Sequence, residues 1–120
     1  MTNKFQTPED FVNFLKKEYA KHDISFEQDG FDEGMWIISF EHDGVTLYGS
    51  GIIAPGLDGE ISYDEYDDNL EAYLQAFSHF IEGGTDSFAE QDTDSEEEFD
   101  KIENVKEYVE KISDSIYEKI

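Results

Sequence analysis

The sequence predicts an α+β domain in the order αβββαα: an N-terminal helix, a three-stranded antiparallel meander and two C-terminal helices. Three observations carry this. Three runs rich in β-forming residues are separated by turn residues, with Asp43-Gly44 between the second and third. From Ser62 onward, apolar residues recur at helical spacing instead of alternating. Both outer regions open on helix-start signals, Thr7-Pro8 and Ser95 with Glu98. Helices laid on an antiparallel sheet bury the apolar sides of both.

Thr7 is placed to cap the first helix. Pro8 takes the first helical position, where its missing N–H costs nothing, and Glu9 and Asp10 suit the positive end of the dipole. Phe11, Phe14, Leu15 and Tyr19 share one face, and Lys16, Lys17 and Lys21 follow toward the other end. The spacing predicts a helix from about Pro8 to Lys21 with its aromatic stripe in the core. Ile24 to Gln28 alternates as a short strand, and Asp29 to Gly34 reads as a polar loop. Met35–Glu41 and Val45–Ile53 are the second and third strands, and Gly49 and Gly51 predict a bulge or bend in the third. Ala54-Pro55-Gly56 then turns the chain out of the sheet.

Tyr63, Tyr66, Leu70, Tyr73, Leu74, Phe77, Phe80 and Ile81 fall on one helical face that Gly83-Gly84 stops. This helix has two candidate starts: a capping box of Ser62 with Glu65, or a later one at Asp67 or Asp68. Thr85 to Asp94 reads as an acidic loop. Ser95 and Glu98 form a second capping box ahead of a long amphipathic helix carrying Phe99, Ile102, Val105, Val109, Ile112, Ile116 and Ile120. That helix suits pairing with a second copy as well as with its own sheet, so both monomer and homodimer are open. No internal repeat or long linker divides the chain, and residues 1–120 read as a single domain.

The charge is distributed one-sidedly. Residues 22–100 hold 23 Asp and Glu and neither Lys nor Arg, while the eight cations, all lysines, lie in the flanks. The whole formal charge of −23 therefore belongs to the middle. Such a surface is repelled by nucleic acid and by anionic membranes, and its natural partner is a basic protein. Solubility alone gives no reason to empty 79 consecutive residues of lysine. A hydrophobic content of 38% with 15% aromatics suffices for a core, so global disorder is not expected. There is no apolar run of membrane-spanning length, and Met1 to Pro8 has no apolar segment of the kind a secretory signal needs. Without cysteine there is no disulfide, thiolate site or cysteine nucleophile, which fits a reducing cytosol, and a cytoplasmic placement is expected.

Motifs for catalysis are weak. Asp58 to Tyr66 copies the second half of a calcium-binding EF-hand loop, but the first half would start at Ala54 with Gly56 third, and neither offers a side-chain oxygen. His22, His42 and His79 have no partners at metal-ligand spacing, and Ser78-His79 has no nucleophile-elbow glycines. There is no glycine-rich phosphate loop and no arginine. No enzyme, metal or cofactor is expected. What remains is the acidic surface, in which carboxylates come in rows with Tyr and Phe between them: Asp64 to Asp68, Asp86 to Asp100, and Glu27, Asp29, Asp32 and Glu33. B-DNA carries about one negative charge per 1.7 Å of axis, and a rigid domain of similar charge density can occupy a phosphate-binding groove. It gains from electrostatic steering, and its aromatics add non-polar anchoring.

The hairpin WIISFEHDGVTLY, the helix NLEAYLQAFSHF and the acidic EEEF opening the last helix together resemble the small acidic anti-CRISPR proteins that inhibit type II-A Cas9. Those proteins combine an N-terminal helix, a three-stranded meander and two helices around an acidic surface. This chain is longer, with an insert at Gly51 to Asp64 and a full C-terminal helix. The resemblance implies binding to the Cas9 groove that reads the PAM, and so a block on DNA engagement. The expected function is a non-catalytic inhibitor that mimics nucleic acid, with Cas9 or another DNA-binding enzyme as partner. The expected contacts are Asp64, Glu65, Asp67, Asp68, Asp92, Asp94, Glu96, Glu97, Glu98 and Asp100. An immunity protein that neutralises a basic nuclease toxin is the alternative, and a calcium-dependent regulator using Asp58 to Glu65 is the third reading.

Overall fold

The computed structural model describes residues 5–32, 34–52, 69–89 and 93–120. Helix α1 (Pro8–Ala20) leads into strands β1 (Ser25–Asp32), β2 (Met35–His42) and β3 (Val45–Ile52). Helices α2 (Leu70–Gly83) and α3 (Glu96–Tyr117) complete the predicted αβββαα order. In α1, the Thr7 hydroxyl accepts from the Asp10 N–H at 3.1 Å, and Phe11, Leu15 and Tyr19 are buried. The sheet order is β1-β2-β3 with both pairs antiparallel. Asp43 and Gly44, both at positive φ, make the two-residue turn between β2 and β3.

The first strand is longer than predicted. After Gln28 pairs with Ile38, Asp29 is bulged out, Gly30 (φ 112°) pairs with Ile37, and pairing continues to Asp32 opposite Met35. Glu27, Asp29 and Asp32 are therefore strand residues rather than parts of a loop, and Glu33 lies outside the described residues. The polar outward positions of an open sheet face conceal a strand from a hydrophobicity reading. The predicted bulge at Gly49 and Gly51 is absent, since β2 and β3 pair without interruption from Met35–Ile52 to His42–Val45. These glycines serve a close approach by α2. A Cβ at Gly49 would stand 2.9 Å from the Phe80 ring, and one at Gly51 would run into the Ala76 carbonyl.

Helix α2 starts just beyond both candidate starts, with the Asn69 side chain accepting from the Ala72 N–H at 3.2 Å. Ser62 to Asp68, including Tyr63 and Tyr66, lie outside the described residues. The predicted acidic loop after α2 contains a 3-10 turn (Gly84–Ser87) and a buried Phe88. Phe88 bridges Gly49, and the Ala89 N–H donates to the Tyr48 carbonyl at 2.8 Å, so this stretch lines the outer edge of β3.

In α3, Val105, Val109, Ile112 and Ile116 are buried against the protein's own core. Phe99 and Ile120, expected on the same stripe, are exposed. Phe99 sits about 120° around the helix from Val105, and Ile120 follows the last helical residue. The core itself is largely aromatic. Tyr19 stacks on Phe26, Phe40 on Phe80, and Trp36 meets Phe77 edge-on. No described helix is long and apolar enough to cross a membrane.

Candidate functional site

The first turns of α3 project past the end of the core. Its cap is Ser95, whose hydroxyl accepts from the Glu98 N–H at 3.2 Å. Glu98 returns the bond to the Asp94 N–H at 3.2 Å, one residue before the partner a standard capping box would use. Glu96, Glu97 and Glu98 thus occupy the first turn, where a helix dipole favours acids. That preference does not reach Asp100 or, across a groove, Asp43. Asp94, Glu96, Glu97, Glu98 and Asp100 are all exposed. Four of these carboxylates fall within about 6 Å of helix axis, close to the density on a DNA duplex.

They are not aligned in one strip. Steps of about 100° per residue turn Glu96 outward, Glu97 and Asp100 toward the β2–β3 turn and Glu98 toward the edge of β3. One groove is accordingly lined by His42, Asp43, Glu97, Asp100, Asn104 and Tyr108. His42 Nδ1–H donates to the Asp23 carbonyl at 2.8 Å, and its ring stacks on Tyr108 with centroids 4.7 Å apart. The Tyr108 hydroxyl donates to the His22 carbonyl at 2.9 Å, which fixes α3 to the turn between α1 and β1. A second groove, lined by Gly44, Thr46, Tyr48, Glu98 and Ile102, lies along the edge of β3. Lys101 lines both and is the one lysine in their linings among the described residues.

Four lysines elsewhere, Lys16, Lys21, Lys106 and Lys119, are engaged in ion pairs. Lys21 and Lys119 donate to the two oxygens of Glu18 at 2.6 and 2.5 Å, and these bonds hold its carboxyl down to about 2. Lys16 lies 3.7 Å from Glu27, and Lys106 3.3 Å from Glu103. Among the described residues, no ion pair reaches Asp94, Glu96, Glu97, Glu98 or Asp100. None of the described His, Asp and Glu side chains form a cluster of three or more fit to hold a metal.

The structure thus brings together Asp94, Glu96, Glu97, Glu98 and Asp100 of the expected contacts. Asp64, Glu65, Asp67, Asp68 and Asp92 lie outside the described residues, as does the EF-hand-like stretch from Asp58 to Tyr66. Asp43 and Tyr48 join the surface without having been singled out in the sequence. Alternation from Val45 already turns Tyr48 away from the core, but its nearness to Glu98 depends on where α3 lands. Compared with known proteins, the chain matches no family model, no curated protein and no solved structure.

Proposed function

We propose that this protein is a non-catalytic inhibitor whose acidic surface takes the place of nucleic acid in the basic groove of a DNA-handling nuclease. The leading concrete form is a counter-defence protein that blocks DNA engagement by Cas9. The observation that carries this reading is the uncompensated ring of carboxylates at the start of α3, beside lysines that pair elsewhere in the same fold. Leaving acids exposed and unpaired gives little stability, but it raises the field that steers a basic partner and strengthens its binding.

The test is cleavage by guide-loaded Cas9 with the purified protein added before or after DNA, at about 50 and about 300 mM salt. Inhibition is expected only when the protein precedes DNA, and it should weaken at the higher salt. Reversing Glu96, Glu97 and Glu98 to Lys should lower the inhibitory affinity by about 10–100-fold. Inhibition that is indifferent to order of addition, to salt and to the triple variant would defeat the proposal. Absence of inhibition across several Cas9 orthologues would redirect the search to a basic nuclease toxin.

A further inference from the structure

The sheet has a second face, and it is amphipathic in an unusual direction. Tyr19, Phe26, Trp36, Phe40 and Leu47 place the core on one side, where α1, α2 and α3 pack. On the other side the register lays out the rows Asp32–Met35–Ile52 and Glu27–Ser39–Tyr48. Each of these two rows starts with a carboxylate on β1 and ends in a large apolar side chain on β3, while the other two on this face, Ser25–Glu41–Thr46 and Gly30–Ile37–Ser50, end in small hydroxyl side chains. Met35, Tyr48 and Ile52 are 38%, 54% and 59% exposed, which is high for apolar groups this size on a regular sheet. The bulged Asp29 adds a third acid to the β1 side. The sheet strands carry no lysine, and Lys16, 3.7 Å from Glu27, is the one cation paired to this face among the described residues.

We infer that this open face docks an amphipathic, cationic segment of the partner protein, with its basic side over β1 and its apolar side over β3. Charge decides the occupant. A second copy would bring its own −23 and set one acidic rim near another, whereas a cationic segment neutralises the β1 side while burying Tyr48 and Ile52. The face is continuous with the acidic start of α3, because Tyr48 also lines the groove shared with Glu98 and Ile102. The inference rests on the proposed basic partner but not on that partner being Cas9. Its added content is an apolar anchor that persists when salt screens the carboxylates.

Two synthetic peptides of equal length and charge, alternating Lys-Leu and alternating Lys-Ser, test this by NMR titration of the isotope-labelled protein. The Lys-Leu peptide should bind at least about tenfold more tightly, keep that advantage at about 300 mM salt, and shift the signals of Met35, Tyr48 and Ile52. The double variant Tyr48→Ser, Ile52→Ser should erase the advantage while leaving Lys-Ser binding in place, and the unchanged dispersion of its NMR spectrum shows that the variant is folded. Equal affinities, shifts confined to the start of α3, or an advantage that survives the double variant would overturn the inference. So would self-association of the free protein that the same double variant abolishes, read by sedimentation. A protein that prefers the Lys-Leu peptide yet fails to inhibit Cas9 would unseat the Cas9 reading alone.

Discussion

The two ends of α3 treat carboxylates in opposite ways. Beside its C-terminus, Glu18 of α1 is covered and receives two lysine ammoniums, one of them from Lys119 just past the helix. At its N-terminus, five exposed carboxylates have Lys101 nearby, and among the described residues no ion pair reaches them. A chain with eight lysines for 31 acids cannot neutralise every region. Here Lys21 and Lys119 converge on Glu18 and tie α1 to the end of α3, while the start of α3 keeps its field. The C-terminal half of α3 is thus tied into the core, whereas the N-terminal end leaves its carboxylates exposed.

The largest expected effect lies at the inner end. Ile116→Ala, at a buried position, should cost about 2–5 kcal/mol in denaturant unfolding. Phe99→Ala, at the exposed end, should stay within about 0.5 kcal/mol. Similar losses for the two would erase the division of the helix. A smaller effect is expected from Glu18→Gln. A carboxyl held down to about 2, against 4.5 for the free group, gives its stabilisation in full above pH 4.5, and that contribution fades as pH falls toward 2. The melting-temperature gap between wild type and Glu18→Gln should therefore be widest near neutrality and close between pH 5 and pH 2; a gap independent of pH would show that the two ammoniums do not stabilise the ionised form. The smallest effect is global. Screening the repulsion among residues 22–100 should raise the melting temperature by a few degrees between about 10 and about 500 mM salt. A flat response would mean that the unpaired acids exert no strain on the fold.

Much of this fold is legible in the sequence, wherever one residue type has one local job. Thr7 and Ser95 cap the helices they were expected to cap, and Asp43-Gly44 makes the expected hairpin. Glycine was less informative where two jobs compete for it. A bulge and a close approach both call for a missing side chain, and the sequence cannot tell Gly30, which sits in the bulge region of β1, from Gly51, which lies under Ala76. The extension of β1 was hidden because its outward residues are acids, and Phe88 because a single aromatic in an acidic stretch has no periodicity to mark it. Of the candidate site, the acids of α3 were visible as a row. Their joining to Asp43 and Tyr48 was not, since it is set by the crossing of α3 over the β3 edge, which brings together residues as far apart in the chain as Asp43 and Glu97.

The buried bond between helices α1 and α3 has a consequence for biosynthesis. The Ser113 hydroxyl donates to the Val109 carbonyl at 2.6 Å, so the Tyr19 hydroxyl, also 2.6 Å away, is the donor to Ser113. Tyr19 and Ser113 are 94 residues apart in the chain, and Glu18 and Lys119 are 101 apart. The β2–β3 hairpin needs only a two-residue turn and can close while the chain is still growing. The aromatic face of α1 is synthesised well ahead of its polar partners in α3, which follow 94 residues or more later. The contact between α1 and the end of α3 therefore closes only after the sheet and α2 have been made, and the hairpin forms ahead of the core it belongs to.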